Sequence, residues 1–246
     1  MNRTARLVVF LVGGAGLVLL LGLAMMRLPA FGGVDHPYRD AAVEAALRRL
    51  SPNVVSSVNF DQRGLDTFGE EAILVAAVLG AATLLRTEGR RRQRRLDDVG
   101  RIPSATRFLG YALLPVTLLI GADVVVHGHL TPGGGFQGGV VLATGLHLMY
   151  VAGSYPALRR VRPLAWYEFG EAAGMGTVVV LGLAGIVSGA GYLANVLPLG
   201  QFGRLVSAGT LPLFSVAVGL AVGSGIVVLL AQFLDEYLTI ERRPSR

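Results

Sequence analysis

The sequence contains no cysteine and no lysine, and only 15% of its 246 residues are charged. The absence of cysteine excludes disulfide bonds and every metal or iron–sulfur centre held by thiolates. A soluble domain carries roughly 25% charged residues, whereas 52% of this chain is hydrophobic and its mean hydropathy is positive. We therefore expect an integral membrane protein. We also expect it to have no cofactor, no nucleic-acid partner and no catalytic site of its own.

Six apolar runs are candidates for crossing a bilayer, which takes about 20 residues of helix. They are Leu7–Met26, Ala72–Leu85, Phe108–Val126, Gly138–Val151, Gly174–Leu193 and Leu211–Leu234. The second and fourth runs are short, so their helices must also include Gly69–Glu71 and Gly133–Gln137. The expected fold is all-α and polytopic, with about six transmembrane helices.

The arginines are distributed unevenly along the chain. Of the 22, 16 lie in the two termini and in the loops after the second and fourth apolar runs. Six spans place these four segments on one side, which the positive-inside rule makes cytoplasmic. The run "RTEGRRRQRR", Arg86–Arg95, could bind nucleic acid in isolation, but between two spans it indicates topology. The first apolar run is longer than the core of a usual signal peptide, so we expect it to be retained.

The same basic loop, Arg86–Arg107, is the best internal boundary. It divides a two-span segment, residues 1–100, from a four-span segment, residues 101–246. In the outer part of the first segment, "HPYRDAAVEAALRRL" places apolar residues at helical spacing, which predicts an amphipathic helix on the membrane surface, ended by Pro52. The short sequences "FGEEA" and "FGEAA", at Phe68–Ala72 and Phe169–Ala173, form a weak internal echo.

Ionisable residues within apolar runs are costly and therefore candidates for function. In "DTFGEE", Thr67 and Glu70 fit a capping box at a helix start. The alternative is that Glu70 or Glu71, with Asp66 nearby, reaches the helix bundle as a proton or cation site.

A second candidate group surrounds Asp123, which lies one helical turn before His127, so both side chains share a helix face. They could form a proton relay, because histidine titrates near neutral pH, or a polar pair at the membrane surface. A metal site would also need His129 and has no evident fourth ligand, so we expect none. Deeper in the membrane, His147 follows Ala143 on a stripe of small residues. It is either hydrogen-bonded to a neighbouring helix or used for proton transfer, for which it is the strongest histidine candidate.

The stretch "HGHLTPGGGFQGG", His127–Gly139, is a glycine-rich turn between two apolar runs. It lacks the lysine and hydroxyl residue of a phosphate-binding loop. We expect its glycines to form a tight turn and to let helices approach closely, because small residues permit such packing. These glycines are Gly133, Gly134, Gly135, Gly138 and Gly139.

"HGHLTPGGGFQGGVVLATGLHLMYVAG", with the apolar runs on either side, resembles the B-type subunit of the multisubunit Na⁺/H⁺ antiporters of the Mrp or Mnh family. That family is related to the membrane arms of respiratory complex I and of membrane-bound hydrogenases. The resemblance covers roughly Arg101–Tyr237. Ser51–Gly80 resembles instead the C-terminal end of the large A-type antiporter subunit, or the small E-type subunit of hydrogenase complexes.

In the A-type and E-type subunits an acidic residue after an Asp-Thr-Leu-Gly type motif is implicated in ion passage. This motif maps onto Glu70, with Phe68 in place of the usual leucine. The resemblance thus implies a membrane subunit of a cation (Na⁺)/proton antiporter complex in a bacterial or archaeal cell membrane. It also implies other antiporter or hydrogenase-complex subunits, Na⁺, H⁺ and lipid as partners. The alternatives are a membrane-arm subunit of a redox-driven ion pump, and a scaffold whose carboxylates only cap helices.

Overall fold

The computed structural model describes residues 3–28, 32–85, 102–152 and 163–240. Most of the arginine-rich loop that defines the predicted topology lies outside these ranges. The chain divides into two compact units, Met1–Asp40 and Ala41–Arg246. The predicted division into residues 1–100 and 101–246 concerns resemblance to two different subunits and stays a prediction.

The elements of the described chain are helices, apart from one isolated antiparallel bridge between Gly200 and Ser207. In chain order they are α1 Arg3–Met26, α2 Pro37–Arg48, α3 Val54–Ser57, a π-helical turn Val58–Gln62, α4 Gly64–Leu84, α5 Ser104–Val126, α6 Gly135–Val151, α7 Leu164–Val187 and α8 Leu211–Ile240. The predicted all-α, polytopic membrane fold is confirmed.

Five helices within the described ranges are long and apolar enough to cross a membrane: α1, α4, α5, α7 and α8. The expected fourth span, α6, has 17 residues and is shorter than these five. Helix α6 begins at Gly135. It therefore includes only part of the stretch Gly133–Gln137 that the sequence predicts in this span. In the first unit, α1 has no buried residue along its 24 residues. An apolar helix exposed on every side is typical of a segment surrounded by lipid.

Helix α8 is the central element of the second unit. It contacts α4, α5, α6 and α7, and α5 also packs along α6. Val218, Val222 and Val227 on α8 are fully buried, and they belong to two apolar clusters that draw side chains from all the surrounding helices. Burial on this scale by a helix in the membrane requires close neighbours, which the small residues of α6, α7 and α8 permit.

The fifth span differs from the predicted run Gly174–Leu193. Helix α7 starts ten residues earlier, at Leu164, and ends at Val187, where Gly189 adopts a φ of 78°. Glycine with positive φ is the commonest way to end an α-helix. The chain then continues to residue 210 without a helix, and Asn195 holds this segment together by donating to the Ala208 carbonyl and accepting from the Thr210 amide, at 3.0 and 2.9 Å.

The predicted helix is present as α2, with Ala42 and Ala46 buried, and its location on the membrane surface stays a prediction. Its partner is protein, because the Gln62 side chain on the π-helical turn donates to the Ala42 carbonyl at 3.1 Å. Just after α2, Arg49 pairs with Asp61 of the same turn at 3.2 Å. Burial raises the pKa of Asp61, and the Arg49 charge opposes that rise.

Candidate functional site

The acidic segment "DTFGEE" lies inside a helix and does not start one. Helix α4 begins at Gly64, one turn before Thr67, and the Thr67 hydroxyl donates to the Asn59 carbonyl at 2.9 Å. The capping-box interpretation of Thr67 and Glu70 is therefore wrong. Asp66 forms an exposed ion pair with Arg63, and the ion-path role predicted for Asp66 stays a prediction.

Two adjacent carboxylates, Glu70 and Glu71, lie in different environments. Glu70 is exposed and lines a cavity of about 370 Å³ together with Ile73, Leu74, Ala77 and Phe136. Glu71 is only 1% exposed. Because successive residues on an α-helix point about 100° apart, one of the pair faces outward while the other faces the helix bundle.

Glu171 on α7 is a second buried carboxylate, 6% exposed, and it is not among the site residues predicted from the sequence. A Cβ atom placed on Gly225 of α8 would lie 3.1 Å from Glu171 Oε1 and 3.4 Å from a methyl group of Val78 on α4. Glu171 is therefore located where α4, α7 and α8 meet. Within the described part of the chain, both Glu71 oxygens and Glu171 Oε1 make no hydrogen bond.

Asp123 and His127 do share a helix face, at the C-terminal end of α5. Asp123 Oδ1 lies 2.8 Å from His127 Nδ1, and the two side chains are 68% and 40% exposed. The His127 amide also donates to the Asp123 carbonyl at 2.9 Å. This geometry is a solvated pair at a helix end, and the proton relay proposed for it from the sequence stays a prediction.

His129 lies in a different environment, fully buried beneath the glycine turn. Its two ring nitrogens make no hydrogen bond of good geometry with described residues, although the backbone at Arg204 and Leu205 lies close by. Burial lowers the pKa of His129, and these two backbone groups act in the opposite direction. Because His129 is enclosed while Asp123 and His127 face outward, the three side chains do not form a joint ligand set.

The glycine turn is held in place by residues 51–53. Asn53 Nδ2 donates to the carbonyls of Gly128 and Thr131 at 2.7 and 2.8 Å, and the Ser51 hydroxyl donates to the His129 carbonyl at 3.2 Å. Gly133 and Gly134 have φ values of 149° and 142°, which residues with a side chain rarely adopt. The turn therefore depends on both its own glycines and a polar clamp from another segment.

The glycines at the start of α6 lie against two neighbouring helices. A Cβ atom at Gly139 would lie 2.9 Å from the Gly219 carbonyl oxygen of α8, and one at Gly135 would overlap the carbonyl oxygen of Ser215. On the other face of α6, a Cβ atom at Gly138 would lie 2.8 Å from the Gly121 carbonyl oxygen of α5. Helices α5, α6 and α8 are thus in backbone contact at this end of the bundle.

His147 is half-buried near the other end of α6. It lies one helical turn after Ala143, which is 1% exposed and packs in a cluster with Val227 of α8. His147 therefore continues the row of small residues along which α6 meets α8. The proton-transfer role predicted for it stays a prediction.

Comparison with known proteins identifies relatives for nearly the whole chain. Residues 105–228 match a family model described as a domain related to the MnhB subunit of Na⁺/H⁺ antiporters. An uncharacterised protein of Methanocaldococcus jannaschii is 29% identical, over 95% of this chain and 92% of its own length. A probable A/B subunit of a K⁺/H⁺ antiporter of Rhizobium meliloti is 28% identical over 93% of this chain, which spans 25% of that relative.

Two solved membrane complexes contain chains of similar fold. One is the membrane-bound sulfane sulfur reductase, an archaeal respiratory membrane complex. Its matching chain has a TM-score of 0.71 and 29% identity, with 95% of this chain and 99% of that chain covered. The other is the Mrp complex of Dietzia sp., with a TM-score of 0.69, 26% identity and coverage of 100% of this chain and 27% of that chain. Both likenesses place the fold among subunits of larger membrane assemblies.

Proposed function

Because the chain belongs to the family of domains related to the MnhB subunit of Na⁺/H⁺ antiporters, we infer that it acts within a multisubunit cation/proton antiporter complex, as one of its membrane subunits. It is a multi-pass protein of a prokaryotic cell membrane. Its relatives include a chain of an Mrp complex and a probable K⁺/H⁺ antiporter subunit. The partners are therefore other membrane subunits, and the transported ions are H⁺ and a monovalent cation, Na⁺ or K⁺.

Within this function, Glu70 is the proposed ion-path carboxylate of the subunit. The observation that carries this role is its position on α4, within a membrane-spanning helix but exposed beside a cavity lined by Leu74 and Phe136. A carboxylate exposed to lipid would cost about 3 kcal/mol. That cost favours an arrangement in which the Glu70 face of α4 lies against a neighbouring subunit or a water-filled path.

A redox-driven alternative is supported by one observation, the match to the sulfane sulfur reductase complex over 99% of the matched chain. The same subunit would then serve a membrane arm in which electron transfer drives ion movement. Purification of the intact complex separates the two. Iron–sulfur or nickel proteins among the co-purified subunits support the redox-driven complex, and antiporter subunits alone support the antiporter. Neither assignment gives this chain a catalytic site of its own.

The role of Glu70 is tested by Glu70→Gln in the intact complex, with cation-dependent proton flux measured in inverted membrane vesicles. We expect flux to fall by about tenfold or more, as when a proton-transfer group is removed. Glu168→Gln is the matched control, because Glu168 is also an exposed carboxylate of a membrane helix. Normal flux from a fully assembled Glu70→Gln complex would show that Glu70 is not part of the ion path.

A further inference from the structure

We propose that Glu71 and Glu171 form an internal proton relay that connects the outer and inner halves of this subunit, separate from the exposed Glu70. This inference rests on the proposed function, since it assumes that the complex moves protons. Each of the two carboxylates is more than nine-tenths buried. Glu71 Oε1 and Oε2 and Glu171 Oε1 have no hydrogen-bond partner in the described residues.

The two helices that carry the carboxylates run antiparallel. Phe68, near the start of α4, packs edge-on against Tyr192, just after the end of α7, with ring centroids 5.8 Å apart. A Cβ atom at Gly64, the first residue of α4, would lie 3.6 Å from Leu193 Cβ. Since α4 and α7 cross the bilayer in opposite directions, the start of α4 and the start of α7 lie on opposite sides.

This orientation sets the depth of each carboxylate. Glu71 is the eighth residue of α4 and Glu171 the eighth residue of α7, so each lies about 10 Å from the start of its own helix at a rise of about 1.5 Å per residue. The two carboxylates therefore lie nearer to opposite sides of the membrane, and the topology predicted from the arginines makes the side of Glu71 the outer one and that of Glu171 the cytoplasmic one. Together the two carboxylates divide the path of a proton across the membrane into three shorter steps.

The gap between the carboxylates is short. Val78 of α4 lies beside Gly225 on α8, as Glu171 does, and Val78 is two helical turns beyond Glu71. The axial separation of the carboxylates is therefore about 10 Å. A chain of about three water molecules, with about 2.8 Å between successive oxygens, would span that distance.

Burial and the lack of partners favour a proton as the ligand. An ionised carboxylate at this depth without a partner is costly, so at least one of the two is held in its neutral acid form. Hard cations are held by several oxygen ligands at once, and no cluster of three or more histidine, aspartate or glutamate side chains able to hold a metal ion is found in the described chain.

The transfer step conserves atoms and charge. The O–H bond of one neutral carboxyl breaks, and an O–H bond forms on the other carboxylate, through the intervening water molecules. The first residue becomes ionised and the second becomes neutral. The net result is movement of one proton from Glu71 to Glu171, or in reverse.

The test compares four variants assembled in the whole complex: Glu71→Gln, Glu171→Gln, the double variant, and Glu168→Gln as the exposed control on α7. Steps in series predict that each single relay variant lowers cation-driven proton flux by about tenfold or more and that the double variant is no worse than either single one. The control is expected to keep normal flux. Normal flux in an assembled Glu171→Gln complex, or losses that multiply in the double variant, would overturn the relay.

Two further measurements separate proton transfer from structural support. Glu171→Asp keeps a carboxyl group and should recover much of the flux, and the infrared carbonyl band of a buried carboxylic acid should disappear in the double glutamine variant. Failure of both Glu171→Asp and Glu171→Gln to assemble would assign a structural role and contradict the relay. If only Glu70→Gln lost flux, the relay would be refuted and the proposed function would stand. If flux were unchanged in all variants, the ion-path roles of Glu70, Glu71 and Glu171 would all be refuted.

Discussion

The Asn53 side-chain amide donates a hydrogen bond of 2.7 Å to the carbonyl oxygen of Gly128, 75 residues later in the sequence. A second donor on the same amide reaches the Thr131 carbonyl. This clamp joins the segment before α4 to the glycine turn between α5 and α6. The segment resembling the A-type antiporter subunit or the E-type hydrogenase subunit is thus physically connected to the segment resembling the B-type subunit.

Removing the clamp should destabilise the complex. Asn53→Ala leaves two carbonyl oxygens without their partner, which costs about 1–3 kcal/mol where such groups are buried. The check is the thermal unfolding midpoint of the purified complex, with Asn59→Ala as control, because the Asn59 side chain is exposed. Equal midpoints for the two variants would show that the clamp adds nothing.

Added volume at the start of α6 should prevent assembly. Gly135→Leu, or even Gly135→Ala, places a Cβ atom against the Ser215 carbonyl oxygen on α8, and the two backbones must separate to admit it. We expect loss of partner subunits on purification, rather than slower transport by an intact complex. Gly176→Ala is the control, since no described atom lies within 4 Å of a Cβ atom there. Normal co-purification with Gly135→Leu would contradict the packing account.

The Asp123–His127 pair should contribute little to stability. Exposed ion pairs are typically worth less than about 1 kcal/mol, and the two side chains are 68% and 40% exposed. Asp123→Asn is therefore expected to leave the unfolding midpoint nearly unchanged. Its proton flux distinguishes the two interpretations: normal flux indicates a surface pair, and a large loss indicates a relay.

Acidification should loosen the glycine turn through His129. Its folded-state pKa is lowered by burial, so the unfolded chain binds more protons than the folded one between the lowered value and the ordinary 6.5. Stability is therefore present above pH 6.5 and is lost as the pH falls below it toward the lowered pKa. The hydrogen-exchange protection factors of residues 127–134, which are corrected for the intrinsic effect of pH on exchange, should fall in that window. His129→Phe should abolish this pH dependence, and persistence of the dependence in that variant would exclude His129 as its source.

Much of the fold follows from the sequence because bilayer thickness sets the length of apolar segments. The spans around Phe108–Val126 and Leu211–Leu234 are predictable within a few residues. The predicted fifth span starts ten residues after the observed start of α7, because the charges of Glu168 and Glu171 lower the hydropathy of that part of the helix. Glu171 is buried beside Gly225 of α8, a position that only the packing of the helices determines. The end at Val187 depends on the positive φ of Gly189, which apolar periodicity does not reveal.

The candidate site is predictable only in part for a similar reason. "DTFGEE" indicates an important pair of carboxylates, but Glu70 and Glu71 are adjacent and only the packing of α4 on α8 determines which one is buried. The echo between "FGEEA" and "FGEAA" is the available signal for Glu171, since it matches the position of Glu70. A match of five residues cannot show the depth of Glu171 in the membrane. In the structure Glu171 lies near Val78, which is two helical turns beyond Glu71.

If this chain serves an ion-coupled antiporter, a cation gradient alone must drive proton movement. Inverted vesicles containing the complete complex receive an imposed Na⁺ or K⁺ gradient without any electron donor, and the internal pH is followed. We expect proton movement that depends on the cation gradient and disappears when this subunit is omitted from the complex. Proton movement that requires an electron donor and ignores the cation gradient would show that the complex is not an antiporter.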